Sequence, residues 1–351
     1  MGKDDAYILW LMSLGIHRAW ELISRYGSVE GVFRNAVEAR VASYANTDYL
    51  MELVSKTQAA LTSDGRFISY KNPDYPARLL QIPDRPLGIF VKGRLPDPDV
   101  PAVAIIGARD NSLYGRQVAE KLASELAMAD VVVISGMARG LDAKAHKGAL
   151  AVDGVTAAVL PGGVDVCYPA ENFQLYKQIV DKGCVISEFL PGFRPQRWSF
   201  PARNRLITGL ADVLVVVEAG EKSGTFTTVD HALDQGKEVF AVPGRIFDAK
   251  SKGTNELIKQ GAHMLTSFAD VLLALKISHS SVSTQSEKNP QNLSLASDEA
   301  LVYACINHEA AAVDYIIYKT GLNAAQVNKI LLNMELAGHI KKLPGQKYIK
   351  S

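Results

Sequence analysis

Apolar residues recur at helical spacing at the start of the chain. Tyr7–Leu14, then Trp20, Ile23, Val32 and Phe33 follow a three-to-four residue rhythm, so residues 1 to about 65 are predicted as short helices. Leu14-Gly15-Ile16 and Arg25-Tyr26-Gly27-Ser28 interrupt that rhythm and read as hairpins between them. From about Pro73 the pattern changes. Continuous, β-branched apolar runs at 88–91, 102–106, 131–134, 156–160, 184–186, 213–217 and 238–242 alternate with helical stretches. Strands that are apolar on both faces and separated by helices predict a mostly parallel sheet covered on both sides, in one doubly wound, Rossmann-like α/β domain. That block runs to about Lys276. Residues 278–296 are rich in Ser, Asn and Gln with little to bury, and read as a flexible linker. Beyond it lie helices predicted at 299–307, with Ser297 and Asp298 as N-cap, at 313–320 and at 324–337. Two strands, 339–342 and 347–350, follow around Pro344-Gly345. Three helices and a β-wing give a winged helix.

The expected domains are therefore a helical one at 1–70, the Rossmann-like one at 71–277, the linker at 278–296 and the winged helix at 297–351. The first also resembles a degenerate helix-hairpin-helix, or SAM-like, module, whose glycine hairpins offer backbone N–H groups to a DNA phosphate. A purely helical packing or protein-contact role stands beside that reading.

Composition narrows the class. The chain is 48% apolar and 21% charged, as in ordinary water-soluble domains. No apolar run approaches the ~18 residues of a membrane span, and neither a signal peptide nor a myristoylation site is read at the start. Cys167, Cys184 and Cys305 are odd in number and far apart, so no metal spacing and no disulfide framework is expected, and a reducing, cytoplasmic setting follows.

The net charge of +1 makes local charge the informative quantity. The window 189–210 holds Arg194, Arg197, Arg203 and Arg205 with Trp198 and Phe200 among them, and no acidic residue. Guanidinium forks match phosphate oxygens and aromatic faces stack on bases, so this window is expected to bind a polyanion. Glycine-rich segments fall at the carboxyl ends of predicted strands, where open α/β sheets bind ligands. They are Ile106-Gly107-Ala108-Arg109, Ser135-Gly136-Met137-Ala138-Arg139-Gly140, Pro161-Gly162-Gly163 and, before a helix, Ser223-Gly224-Thr225. Glycines admit phosphate to the backbone and helix N-termini present free N–H groups to it. Each segment alone is equally read as turn chemistry or a helix cap. Their spacing matches neither G-x-G-x-x-G nor the P-loop, so dinucleotide binding and P-loop hydrolysis are not favoured.

Catalytic candidates are few. His146 and His231 fall on predicted helices and read as structural. Asp142 is expected to cap a helix at 143–151, and Glu188 to hold Arg203 or Arg205. Glu218 ends a strand without a nucleophile or metal cluster beside it.

One ordered set of motifs goes further. It comprises Gly107-Ala108-Arg109, Tyr114-Gly115, Ser135 to Asp142, Ala145-His146-Lys147-Gly148-Ala149-Leu150, Tyr168-Pro169-Ala170-Glu171-Asn172, Ser187-Glu188-Phe189, Phe200-Pro201-Ala202-Arg203-Asn204-Arg205, Ser223-Gly224-Thr225, Val239 to Gly244 and Gly253 to Ile258. Together they resemble the DNA-processing protein A (DprA/Smf) family over about 73–276. The resemblance implies a non-enzymatic, cofactor-free and metal-free binder of single-stranded DNA. Such a protein acts as a recombination mediator in natural transformation, protecting incoming strands and loading RecA. It also implies a homodimer. The DNA-binding residues expected are Arg109, Ser135, Gly136, Met137, Arg139, Gly140, Arg197, Phe200, Arg203, Asn204, Arg205, Ser223, Gly224 and Thr225. Arg109 takes the phosphate-holding position, Arg197 a basic one and Phe200 the base-contacting one. Asn255, Leu257, Ile258, Met264 and Leu265 match the dimer and RecA-contact region. Leu141 and Leu206 stand where the family has Ile, and residues 225–228 and Pro161-Gly162-Gly163 depart from its loops.

Pro161-Gly162-Gly163 also resembles the cytokinin-activating phosphoribohydrolases. A nucleotide-binding or nucleoside-phosphate-cleaving enzyme is therefore the alternative, although a mononucleotide needs fewer arginines than 194–205 supplies. A winged-helix regulator rests on the tail alone, whose third helix carries only Lys329 with Asn323, Gln326, Asn328 and Asn333.

Overall fold

The computed structural model describes residues 2–15, 18–41, 45–61, 64–277, 297–306 and 311–350. The chain forms two compact units, Met1–Val282 and Ser283–Ser351. The expected linker at 278–296, Ile16 of the first hairpin and Asn307 lie outside the described residues.

The first unit is built on a nine-stranded sheet. Its strands are β1 (Gly65–Ser69), β2 (Gly88–Gly93), β3 (Ala102–Ile106), β4 (Val132–Ser135), β5 (Thr156–Val159), β6 (Cys184–Ser187), β7 (Val213–Val216), β8 (Glu238–Ala241) and β9 (His263–Met264). They lie in the order β1-β2-β6-β5-β4-β3-β7-β8-β9. Every pairing from β6 across to β9 is parallel, while β2 joins β6 and β1 antiparallel. The runs at 102–106, 131–134 and 184–186 thus fold as the alternation of strand and helix predicts.

The strands are apolar throughout because both faces are covered. Val103 and Ile105 pack with Leu122 and Leu126 of the Leu113–Met128 helix. Ala104 and Ile106 point the other way, to Leu206 and Ile207 of the Ser199–Leu210 helix and Val229 of the Thr225–Asp234 helix. This period of two along one strand divides the core into two layers.

The helices of the N-terminal stretch and the sheet lie in one compact unit. β1 lies inside the stretch read as helical and pairs with β2 along its whole length. The helices Lys3–Ser13, Ala19–Tyr26, Val29–Arg34 and Thr47–Ala60 do form, but Ile8, Leu9, Trp10 and Leu11 share a core with Phe67 and Phe90 of those two strands. Trp20 fastens the join. Its Nε1 donates to Arg85 O at 2.8 Å, and the Arg85 guanidinium lies 4.1 Å from its ring centroid.

The second unit has helices Ser297–Cys305, Val313–Thr320 and Ala324–Leu336. Strands Ile340–Leu343 and Lys347–Lys350 form its wing, with Ala311–Ala312 added on the far side of the latter. Val302, Ile316, Val327, Leu331 and Ile340 are its core. No helix among the described residues is long and apolar enough to cross a membrane.

Candidate nucleic-acid interface

Strand order reverses between β3 and β7. The chain winds outward from β3 through β4 and β5 to β6, then returns to place β7 on the other side of β3. The loops after β3 and β7 therefore diverge, and a crevice opens at their carboxyl ends. The strand ends themselves are tied: Val217 N donates to Ile106 O at 3.0 Å and Ala108 N to Glu218 O at 2.9 Å. The crevice has a volume of about 870 Å³. Gly107, Ala108 and Arg109 line one side and Lys222 to Thr225 the other, while Arg197, just ahead of the Ser199–Leu210 helix, and Phe200 and Asn204 on that helix close the end.

The floor is held by a buried arginine that faces a buried carboxyl group. Arg203 reaches inward from the Ser199–Leu210 helix and donates to Gly136 O at 2.9 Å and to Val159 O, joining the ends of β4 and β5. Burial pulls its pKa down to about 10, against the opposing influence of Asp142. Burial likewise raises the Asp142 carboxyl, opposed by Arg203 and by the backbone N–H groups of Ala138, Gly107 and Gly136. A Cβ on Gly136 would lie 2.6 Å from the Arg203 guanidinium and 2.7 Å from Asp142 Oδ2, so a side chain there would push these two groups out of place. Gly140, at φ +85°, turns this loop against Ala108 and Arg109.

Above that floor the side chains are free to meet a ligand. The Arg109 guanidinium lies 4.9 Å from the centroid of the half-buried Phe200 ring, and Tyr168 meets the same ring edge-on at 5.5 Å. Among the described residues Arg109, Arg197 and Lys222 have no ion-pair partner. Local carboxylates are occupied: Asp110 pairs with Lys250 at 3.0 Å, and Glu218 accepts from both the backbone N–H and the hydroxyl of Ser112. The Thr225–Asp234 helix starts at the crevice wall and adds the partial positive charge of its N-terminus.

Several expected contact residues sit elsewhere. Residues 199–210 are a helix, so Arg203 and Arg205 turn inward while Arg197, ahead of it, lines the crevice. Arg205 is buried; it donates to both Glu188 oxygens at 2.6 Å and pairs with Asp84 at 3.0 Å. Ser135 is buried with its hydroxyl on Ile105 O at 2.6 Å, and Met137 is buried. Arg139 is exposed but makes a bidentate pair with Glu171 at 2.8 Å, outside the crevice. Asp142 is not the predicted cap: its helix begins at Leu141 with Gly140 at the N-cap. Pro161-Gly162-Gly163 lies beneath the 190–195 segment, where Gly163 N donates to Phe193 O at 2.9 Å. His146 is fully buried, its Nδ1 2.7 Å from the Thr156 hydroxyl, and burial holds its pKa down to about 3. Lys222 and Tyr168 line the crevice and were not singled out as contacts. Lys222 was legible as a base beside Ser223-Gly224-Thr225, whereas nothing in the spacing sets Tyr168 beside Phe200.

Residues 66–276 match the family model for DNA recombination-mediator protein A, and residues 286–346 match the DprA winged helix domain. Protein Smf of Escherichia coli (strain K12) is 36% identical over 277 residues, covering 77% of this chain and 74% of that protein. Protein Smf of Synechocystis sp. is 30% identical over 355 residues, covering 92% and 88%. The X-ray structure of DNA processing protein A from Streptococcus pneumoniae superposes with a TM-score of 0.65 at 32% identity, over 78% of this chain and 98% of that one. A structure of DNA processing protein A from Helicobacter pylori, described as giving insights into its single-stranded DNA binding mode, has a TM-score of 0.54 at 32% identity, over 60% of this chain and 96% of that one. With these matches over both units, the chain belongs to the DNA-processing protein A (DprA/Smf) family.

Proposed function

We propose that this protein binds single-stranded DNA without sequence preference in the crevice between β3 and β7. The observation that carries the reading is the set of unpaired cations, Arg109, Arg197 and Lys222, around the half-buried Phe200. Three cations on separate loops suit successive phosphates of a strand, and an aromatic face suits an unpaired base. In this reading Arg109, Arg197, Lys222, Asn204 and the Ser223-Gly224-Thr225 helix start touch DNA, and Phe200 stacks. Ser135, Gly136, Met137, Gly140, Arg203 and Arg205 hold that surface in shape, and Arg139 stays with Glu171. Nucleoside-phosphate cleavage would need an unpaired carboxylate at the crevice. The occupied states of Asp110, Asp142 and Glu218 weigh against it, so the proposed role is non-enzymatic and without cofactor or metal. Gel shifts with single-stranded and duplex DNA, run beside incubation with nucleoside monophosphates, test this. Preferential binding of single strands with no base released is expected; base release would replace the reading with the enzymatic one.

The wider role proposed, on the strength of family membership, is recombination mediation in the cytoplasm: incoming strands are protected and RecA is loaded on them during natural transformation. A homodimer is proposed through the β9 edge. Leu257 and Leu265 are buried in the core, and Asn255 braces Gly244 at 3.0 and 3.1 Å. Ile258 is half-buried, while Met264 on the edge strand is 54% exposed. Met264 is therefore the residue free to meet a partner copy or RecA. Met264→Lys is expected to give a folded monomer by light scattering, and a dimer of unchanged stability would move the interface elsewhere.

A further inference from the structure

The winged-helix unit keeps its positive charge off the helix that would enter a groove. The exposed positions of Ala324–Leu336 include Asn328, Lys329, Leu332, Asn333 and Leu336, a face with one cation and two leucines. The wing differs. It carries Lys341, Lys342, Lys347 and Lys350, and no acidic residue occurs from 336 to 351.

Strand register fixes where these lysines stand. Lys341 faces Ile349 and Leu343 faces Lys347, so Lys341 and Lys347 lie diagonally on one side of the hairpin. Lys342 faces Tyr348 and Ile340 faces Lys350, which puts Lys342 and Lys350 on the other side. These two rest on aromatic rings, Lys342 Nζ at 5.9 Å from the Tyr348 centroid and Lys350 Nζ at 4.3 Å from that of Tyr303. Among the described residues none of the four has an ion-pair partner. Four like charges on one short hairpin repel each other, and a polyanion relieves that repulsion.

We propose that the wing is a second phosphodiester-binding surface, distinct from the crevice, that grips a nucleic-acid backbone without reading its bases. Ammonium groups on flexible stems are point charges suited to phosphates, whereas base reading needs planar forks or amides aimed at base edges. The four lysines of the wing supply neither.

The test uses the full chain with Lys341, Lys342, Lys347 and Lys350 all changed to Gln, and the same four changed to Arg. The probes are a short oligonucleotide of about 8 nucleotides, within the range that one single-strand site covers, and long single-stranded and duplex DNA. The Gln variant is expected to bind long DNA roughly tenfold or more weakly. Its salt slope should be shallower by about 0.7 per lost single-strand contact, or about 0.9 per duplex contact. Which long probe responds tells whether the wing serves the single strand or the duplex. Short-oligonucleotide binding should be unchanged, and the Arg variant should restore the long-DNA slope. Unchanged affinity and slope on both long probes would overturn the proposal. The crevice reading stands or falls separately, on whether Arg109→Ala weakens the short oligonucleotide.

Discussion

Arg203→Met is expected to destabilise the protein by about 2–4 kcal/mol, because it takes the donor from two buried carbonyls and the facing cation from the buried Asp142 carboxyl. The guanidinium is enclosed, donates to two carbonyls at the ends of β4 and β5, and faces Asp142. Without it Asp142 keeps only its backbone donors, and Gly136 O and Val159 O lose theirs. A thermal melt should shift down by roughly 10 °C, at the 2–4 °C per kcal/mol typical of a domain of this size. Arg203→Lys should recover only part of the loss, since one ammonium cannot span both carbonyls while facing Asp142. Loss of DNA binding in the Met variant should then follow the loss of fold. A variant that melts like the parent yet binds DNA weakly would instead make Arg203 a direct phosphate contact.

Phe200→Ala is expected to remove roughly 1–3 kcal/mol of single-strand affinity. The ring is half-buried between Arg109 and Tyr168, which holds it in place while leaving part of it to a ligand. A base stacked there is available in a single strand and hidden in a duplex, so the preference for single strands should shrink while duplex binding changes little. The melt should shift far less than for Arg203→Met, because Phe200 lies at the crevice wall and not in the sheet core. A variant that keeps its full single-strand preference would remove the stacking role and leave Phe200 as wall.

How much of this was legible depended on whether the controlling contact was local. The strands β3 to β8 announced themselves as β-branched runs between helices, and their limits shifted by at most a residue or two. β1 was missed because Gly65-Arg66-Phe67-Ile68-Ser69 is short, begins with glycine and becomes a strand by pairing with the later stretch Gly88–Lys92. β9 is two residues long and carries no pattern at all. At the site, the glycine-rich strand ends and the arginine window were visible as composition. Which arginine faces the crevice was not, because that is set by helical rotation: Arg203 and Arg205 turn into the protein while Arg197, ahead of the helix, stays out. The Arg205–Glu188 pair was anticipated as one of two possibilities, and only the fold chooses between Arg203 and Arg205.

The central claim, that single strands are held by the cations around the crevice, is tested most directly by salt titration of short-oligonucleotide binding. The comparison is between the parent chain and a variant with Arg109, Arg197 and Lys222 all changed to Gln, measured once both are shown to melt alike. If three phosphates are held there, the slope of log affinity against log salt should become shallower by about 2, at 0.7 for each lost contact. An unchanged slope, with affinity retained in the variant, would contradict the account and place the strand elsewhere on the protein.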